Sequence, residues 1–287
     1  MASCLLASVV LFYCATASVQ GALLSVDTKY QNWVKLFPTD GPVRIPVYID
    51  QANYTTRGDT TCVQRIKDAY AAMNRGLNGC IQFFEITSPV NVGRPFLWVS
   101  QVTNNNVLSP TCAAVPGRMN QPNNEGQKLI ILGGNTPGSC CGTVRDVMRY
   151  FANTLGLRNE YQRADRETFI QVPATSRPGA GSTLNPLYTA FDPYQMLPTT
   201  VASTFPFGTT PAAPFDFNSI TMVPNTKYMT SGTAYTNPLT TPATGTFEGN
   251  INNFPNSDEI SGLDCQAIAA KYGCLAQGNT CANPSGR

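Results

Sequence analysis

Apolar residues recur at helical spacing just past the middle of the chain. The repeat consists of Val144, Val147, Met148, Phe151, Ala152 and Leu155, which fall at i, i+3, i+4, i+7, i+8 and i+11. This spacing places the side chains on one face and predicts an amphipathic helix. Another face carries Arg145, Arg149 and Asn153, and Gly156 stands where a residue in the left-handed conformation would end the helix. The residues that follow, LRNEYQRADRETFI, are polar and dense in charge.

Short runs of β-branched and aromatic residues predict strands at residues 43–49, 80–86, 96–102 and 128–132. Pro46 favours an edge position for the first strand, because proline has no backbone N–H to donate. A helix is predicted at 62–75, with its cap within 59–61, its end at Gly76 and an apolar face formed by Val63, Ile66, Tyr70 and Met73. Residues 110–127, rich in Pro, Asn and Gly, are predicted to be loop. This order indicates an α+β lobe in which a twisted sheet packs on two helices.

The chain changes in composition after residue 170. Residues 171–214 are rich in Pro, Thr, Ser, Gly and Ala without clear periodicity, which is typical of a functional surface loop or of a poorly ordered one. Further on, Ser261 can cap a helix with Asp264 at its third position, as in a capping box. The apolar side of that helix carries Leu263, Ala267, Ile268 and Tyr272, and Gly273 ends it.

The N-terminus predicts export from the cell. An apolar run at residues 5–17, followed by small residues, indicates a secretory signal peptide over residues 1–21. Its removal takes away Cys4 and Cys14 and leaves eight cysteines, an even number that favours disulfide bonds in a secreted chain. No later stretch supplies the roughly 20 apolar residues of a transmembrane helix. We therefore expect a secreted, extracellular protein with a short N-terminal segment at 22–42.

Composition narrows the function classes further. The chain has 287 residues, 42% of them hydrophobic, which is enough for a sizeable core. A net charge of +2 and 13% charged residues give no basic stripe, so nucleic acid is not an expected partner. The chain contains no histidine, which excludes histidine-dependent catalysis and imidazole metal sites. Asn53 begins an N-glycosylation sequon and is expected on the loop after the first strand.

The charged stretch after the central helix resembles the signature of the astacin family of secreted zinc endopeptidases, H-E-x-x-H-x-x-G-x-x-H-E-x-x-R-x-D-R followed by an aromatic residue. The matching residues are Gly156, Glu160, Arg163, Asp165, Arg166 and Phe169. Residues 215–223, FDFNSITMV, are similar to the family's Met-turn region, and the C-terminal helix is similar to its closing helix. Glu160 is expected to be a solvated or arginine-paired carboxylate, for instance with Arg163. The resemblance implies the alternative that it meets the N-terminus of the mature protein.

The resemblance implies a two-lobed, disulfide-bonded metzincin fold with an irregular C-terminal lobe and a final helix. The implied astacin-like domain covers residues 43–276, with an N-terminal lobe at about 43–156, a C-terminal lobe at about 157–276 and a tail at 277–287.

The residues that carry the family's chemistry are replaced at the matching positions. The three zinc-ligand histidines fall on Arg149, Asn153 and Asn159, the general-base glutamate falls on Tyr150, and the Met-turn tyrosine falls on Val223. A guanidinium has only donors and a permanent positive charge, and an unperturbed phenol stays protonated at neutral pH. We therefore expect neither a zinc cofactor nor a catalytic residue.

The resemblance also implies two disulfide bonds, Cys80–Cys274 and Cys112–Cys141. Four cysteines have no implied partner, and their pairing stays open: Cys62, Cys140, Cys265 and Cys281. A substitute zinc site is a weaker alternative, because paired cysteines of secreted proteins are usually disulfides. Its candidate ligands are Cys140, Cys141, Asp146, Glu160, Asp165 and Glu167.

Three hypotheses for function remain. The first is a secreted astacin-like pseudopeptidase, a non-catalytic glycoprotein that keeps the peptide-binding scaffold and binds an extracellular protein or peptide. The second is an active metalloendopeptidase with an unrecognised ligand set. The third is a structural component of the extracellular matrix, suggested by the Pro- and Thr-rich middle of the chain. The sequence does not fix the oligomeric state.

Overall fold

The structure is a computed structural model that describes residues 30–35, 41–90, 92–119, 126–134, 139–160, 216–222 and 258–274. The predictions for the signal peptide, the 171–214 segment, Val223 and the tail lie outside these residues. The helices and strands, in chain order, are β1 Tyr30–Gln31, β2 Val43–Ile49, α1 Gln51–Thr56, α2 Thr60–Gly76, β3 Ile81–Ile86, β4 Phe96–Ser100, β5 Arg118–Met119, β6 Gly126–Ile130, α3 Val144–Thr154 and α4 Gly262–Lys271.

The main sheet has four strands in the order β3-β2-β4-β6, and every neighbouring pair is parallel. The sheet and its helices make this a mixed α and β structure. Each of the four predicted strands is present, with bounds that differ by at most two residues. One face of β2 is buried through Val43, Ile45, Val47 and Ile49, which is the alternation that predicted the strand.

Pro46 does not lie on an edge strand, so that prediction was wrong. Strand β2 is bonded to β3 on one side and to β4 on the other. Its pairing with β4 covers only residues 47–49, so Pro46 lies just outside the stretch bonded to that neighbour. A central strand therefore accommodates a proline where one of its two ladders has not yet begun.

Helices α2 and α3 bury their apolar faces together against the sheet. Phe151 of α3 is fully buried, with ring centroids 5.1 Å from Phe83 of β3 and 6.2 Å from Tyr70 of α2. Ile66 and Met73 of α2 are buried in the same core. Each such side chain contributes about 1.5–3 kcal/mol through removal of apolar surface from water. The prediction of a sheet that packs on two helices is confirmed for this part of the chain.

The glycosylation sequon lies on a helix rather than on the expected loop. Asn53 belongs to α1, and its Nδ2 donates to Asp50 Oδ2 at 2.5 Å. The helix is tied down by Tyr54, which is fully buried and whose hydroxyl donates to the Ile131 carbonyl at 2.9 Å. A helix of six residues is too short to show a clear period in sequence.

A second, two-stranded sheet lies within regions predicted to be irregular. Strand β1 pairs antiparallel with β5, and each has two residues. Trp33, next to β1, is buried and donates from Nε1 to the Thr154 carbonyl at 2.9 Å, at the end of α3. Residues 30–33 thus tie the start of the described chain to the end of the central helix.

Three disulfide bonds lie within the described residues: Cys62–Cys141, Cys80–Cys274 and Cys112–Cys140. Cys265 is disulfide-bonded as well. The implied Cys80–Cys274 pair is present, but the implied Cys112–Cys141 pair is wrong, since Cys112 bonds to Cys140. Adjacent residues of an extended chain point in opposite directions, so only one of the two neighbouring cysteines can face Cys112, and the other faces α2. None of the helices in the described residues is long and apolar enough to span a membrane.

Candidate functional site

Helix α3 carries the candidate site, and its ends are set by local chemistry. Thr143 caps it: the Thr143 Oγ1 accepts from the Asp146 N–H at 3.1 Å, and the Asp146 carboxylate accepts from the Thr143 N–H at 3.2 Å. At the other end Gly156 has φ of +101°, and the Leu157 N–H returns to the Ala152 carbonyl at 3.2 Å. The predicted helix and its glycine stop are confirmed.

Gly156→Ala is expected to lower the free energy of unfolding by about 1–2 kcal/mol, because a Cβ disfavours this left-handed conformation. The added Cβ would also lie 2.6 Å from Cε of Lys271, a flexible side chain that can move away. Chemical denaturation measures the loss. Gly41→Ala is the matched control, since its Cβ would meet nothing within 4 Å. Equal effects at the two positions would contradict the role of Gly156.

The structure brings two of the three expected ligand positions into contact. Asn153 Nδ2 donates to the Leu157 carbonyl at 2.9 Å and to Asn159 Oδ1 at 3.4 Å. Arg149 lies one helical turn before Asn153, on the same side of α3. Arg149, Asn153 and Asn159 thus lie near the end of this helix.

Arg149 and Tyr150 contact each other inside the protein. The guanidinium donates from Nη2 to the Tyr150 hydroxyl at 2.7 Å, and its carbon lies 4.5 Å from the Tyr150 ring centroid. Both side chains are buried. Burial raises the pKa of Tyr150 above its ordinary value, the Arg149 charge opposes this, and Asp146 adds to it. The phenol therefore stays protonated at neutral pH and cannot act as a general base there.

The side chains at these positions do not fit a zinc ion. Zinc requires electron-pair donors at about 2 Å, usually imidazole, thiolate or carboxylate. Arg149 presents N–H groups and a positive charge, and Asn153 directs its amide nitrogen at two oxygens. Elsewhere in the described part of the chain, no group of three or more His, Cys, Asp and Glu side chains is arranged to hold a metal.

A group of buried carboxylates, which the sequence did not predict, begins next to Asn159. This acid cluster consists of Glu160, Asp216 and Asp264, which are at most 5% exposed. Glu160 Oε1 accepts from the Asp216 N–H at 3.0 Å, and the Glu160 N–H donates to Thr221 Oγ1 at 3.0 Å. Of the alternatives for Glu160, solvation was wrong, because the 216–222 segment covers the side chain. Pairing with Arg163 lies outside the described residues.

Asp264 joins the C-terminal helix to the same segment. Its carboxylate accepts from Ser219 Oγ at 2.8 Å and from the Ile220 N–H at 2.5 Å. Its own N–H donates to the capping Ser261 Oγ at 2.9 Å, so the predicted cap at Ser261 is confirmed. The same Oγ donates to Asp216 Oδ2 at 2.5 Å. Asp264 thus links helix α4 to the 216–222 segment, which lies about 45 residues earlier in the sequence.

Arg145 supplies the positive charge next to the acid cluster. It is 7% exposed and donates to the carbonyls of Ser219 at 2.7 Å, Asn218 at 3.2 Å and Glu259 at 3.3 Å. Burial lowers the pKa of Arg145, and the charges of Asp264 and Asp216 oppose that shift. The helical spacing had placed Arg145 on a polar face, but two later segments of the chain cover that face.

The acid cluster predicts a pH-dependent stability. Burial, with the charge of Asp216, raises the pKa of Asp264 from 3.8 to about 7. The folded protein therefore keeps a proton that the unfolded chain loses near pH 4, and this contribution to stability disappears as the pH rises through about 7. Asp264→Asn should abolish this pH-dependent contribution, so the variant should gain stability relative to the wild type as the pH rises from 4 to 8. Denaturation at each pH measures the difference.

The exposed Asp68→Asn on α2 is the control for that experiment. Its stability difference from the wild type should stay nearly constant over the same range. A constant difference for Asp264→Asn as well would contradict proton uptake by the buried carboxyl.

Comparisons with known proteins find similarity to solved structures. No protein-family model matches the chain, and no curated protein matches it either. Among solved structures, the chain is similar to high choriolytic enzyme 1, a hatching enzyme zinc-protease from the medaka fish Oryzias latipes, with 18% identity and a TM-score of 0.49. The alignment covers 88% of this chain and 99% of that enzyme. Similarity at this level transfers no activity, so function has to be argued from this chain's own side chains.

Proposed function

We propose that the protein is a secreted astacin-like pseudopeptidase, which keeps the frame of a zinc-protease helix and binds an extracellular protein or peptide without cleaving it. Two contacts carry this proposal: Arg149 with Tyr150, and Asn153 with Asn159. The resemblance puts the three zinc ligands at Arg149, Asn153 and Asn159 and the general base at Tyr150. A hydrogen bond joins each of these two pairs, and Asn153 also donates to the Leu157 carbonyl.

Loss of zinc removes both halves of the family's chemistry. A bound metal polarises the scissile carbonyl and lowers the pKa of the attacking water. Here the position of the first ligand carries a permanent positive charge, and the position of the base carries a phenol whose pKa is raised by burial. Neither side chain can perform either task at neutral pH.

Secretion is supported by the apolar N-terminal run and by the cysteines. All seven cysteines of the described residues are disulfide-bonded. Such bonds persist in oxidising compartments and are rare in the cytosol. An extracellular peptide or protein is therefore the class of partner that the protein would meet.

Restoring the missing residues tests whether the frame has the proposed geometry. The variant carries Arg149→His, Tyr150→Glu, Asn153→His and Asn159→His. We expect it to retain about one zinc ion per chain after dialysis, because three imidazoles at this spacing complete a catalytic zinc site. A control with Tyr150→Glu alone should retain none. A folded quadruple variant without zinc would contradict the astacin-like placement of these positions.

A further inference from the structure

The face of the main sheet opposite the helices carries aromatic rings that are only half buried. Alternate residues of β2 point into the core, so Arg44 and Tyr48 lie on the other face. Tyr48 is in register with Trp98 of β4, and their ring centroids are 5.3 Å apart in an edge-to-face contact. Phe84 of β3 is in register with Pro46 of β2 on the same side. The rings thus follow one another across three strands.

Cations lie over these rings. Lys128 Nζ is 4.1 Å from the Trp98 ring centroid, and the guanidinium carbons of Arg44 and Arg94 are 4.9 Å and 5.0 Å from the Phe84 centroid. We call this surface the aromatic face and define it by Arg44, Tyr48, Phe84, Trp98 and Lys128. Charged residues form only 13% of the chain and its net charge is +2, so this grouping of cations is a local feature.

One carboxylate, that of Asp50, acts on the aromatic face. Asp50 acts electrostatically on both Tyr48 and Lys128. Its Oδ2 accepts a hydrogen bond from Asn53, so part of its capacity is already used. The face therefore combines partly exposed aromatic rings with the cations Arg44, Arg94 and Lys128 and with one carboxylate that acts on Lys128.

We propose that the aromatic face binds a sulfated polysaccharide. Aromatic rings offer flat apolar surfaces to the C–H faces of sugar rings, and an arginine or lysine held over a ring remains able to pair with a sulfate oxygen. The centre of a sheet face presents side chains and no unpaired backbone groups, whereas extended peptides bind to strand edges through backbone hydrogen bonds. The surface therefore favours a glycan over an acidic peptide. The inference does not depend on the loss of catalysis.

Titration of the full secreted protein with size-defined heparin at physiological salt tests the proposal. The chain has two tryptophans, and Trp33 is buried and bonded to the Thr154 carbonyl. Binding at the aromatic face should therefore change the fluorescence of Trp98, and the change should persist in Trp33→Phe. No binding at physiological salt, or binding without a change in Trp98 emission, would overturn the proposal.

Charge variants locate the binding surface. The double variant Arg44→Gln with Lys128→Gln should bind heparin roughly tenfold more weakly, as loss of two charge-assisted contacts implies. Arg75→Gln, an exposed position at the end of α2 on the helical side, removes the same type of charge and should leave affinity nearly unchanged. Equal weakening by Arg75→Gln would show unspecific attraction to a polyanion and would contradict the proposal.

A competition experiment separates the glycan from an acidic peptide. Poly-glutamate of matched charge should displace heparin poorly, because it lacks sugar rings to lie on Trp98 and Tyr48. Displacement at equal charge concentration would assign the surface to acidic peptides instead. Arg44→Gln alone, at an exposed position, provides a second variant if the double variant unfolds.

Discussion

Replacement of Arg145 by methionine is expected to lower the free energy of unfolding by about 3–5 kcal/mol, the range for a buried charge that loses its partner. The side chain is 7% exposed and donates to the carbonyls of Asn218, Ser219 and Glu259. Methionine has a similar length but no donor, so three carbonyls and the adjacent carboxylates would stay buried without this cation. Denaturant unfolding of the variant measures the loss.

Two variants separate charge from hydrogen-bond geometry in that experiment. Arg145→Lys keeps the positive charge but cannot reach three carbonyls with a planar group, so we expect an intermediate loss. Arg75→Met removes an exposed arginine from α2 and should change stability by about 0.5 kcal/mol or less. A loss below about 1 kcal/mol for Arg145→Met would show that Arg145 does not hold α3 to the later segments.

Phe151→Ala is the second change with a large expected effect, about 3–5 kcal/mol. The ring is fully buried and makes edge-to-face contacts with Phe83 and Tyr70. It is therefore the point where helix α3, helix α2 and the sheet meet. Alanine leaves a cavity lined by these rings, which the rigid sheet on one side prevents from closing. The same denaturation assay gives the loss.

Val144→Ala on the same helix is the control, since Val144 is only partly buried and packs against the border of the core. We expect it to cost about 1 kcal/mol or less, because fewer contacts are lost and water can fill the space. Comparable losses at the two positions would indicate that the α3 contact with the sheet is loosely packed.

Local periodicity predicted the elements that bury one face. Strand β2 and helix α3 follow their apolar alternation closely, and Ser261 caps α4 as its sequence predicts. These features depend on residues that are neighbours in sequence. The pairing of β1 with β5 depends on residues almost 90 positions apart, and two-residue strands carry no period that could reveal them.

The candidate site also has features that the sequence predicted and features that depend on distant residues. The unsuitability of Arg149, Tyr150 and Asn153 as zinc ligands or base was visible in the sequence, because zinc chemistry has fixed donor requirements. The burial of Glu160 was not, since it depends on the 216–222 segment that folds over it. A carboxylate followed by polar residues is normally solvated, and only the tertiary contact reverses that expectation.

The neighbouring cysteines show why pairing could not be assigned from spacing. Cys140 and Cys141 are neighbours, so their separations from Cys112 in sequence differ by one residue. They nevertheless bond to different partners, Cys112 and Cys62. The direction of each side chain at the start of α3 decides the pairing, and that direction is a property of the folded backbone.

The loss of zinc chemistry is tested most directly by the metal content and peptide cleavage of the purified secreted protein. We predict zinc far below one ion per chain after dialysis and no chelator-sensitive cleavage of peptide substrates. The quadruple variant with restored histidines and glutamate serves as the positive control for metal retention. One zinc ion per wild-type chain, with cleavage that a chelator abolishes and added zinc restores, would contradict the account.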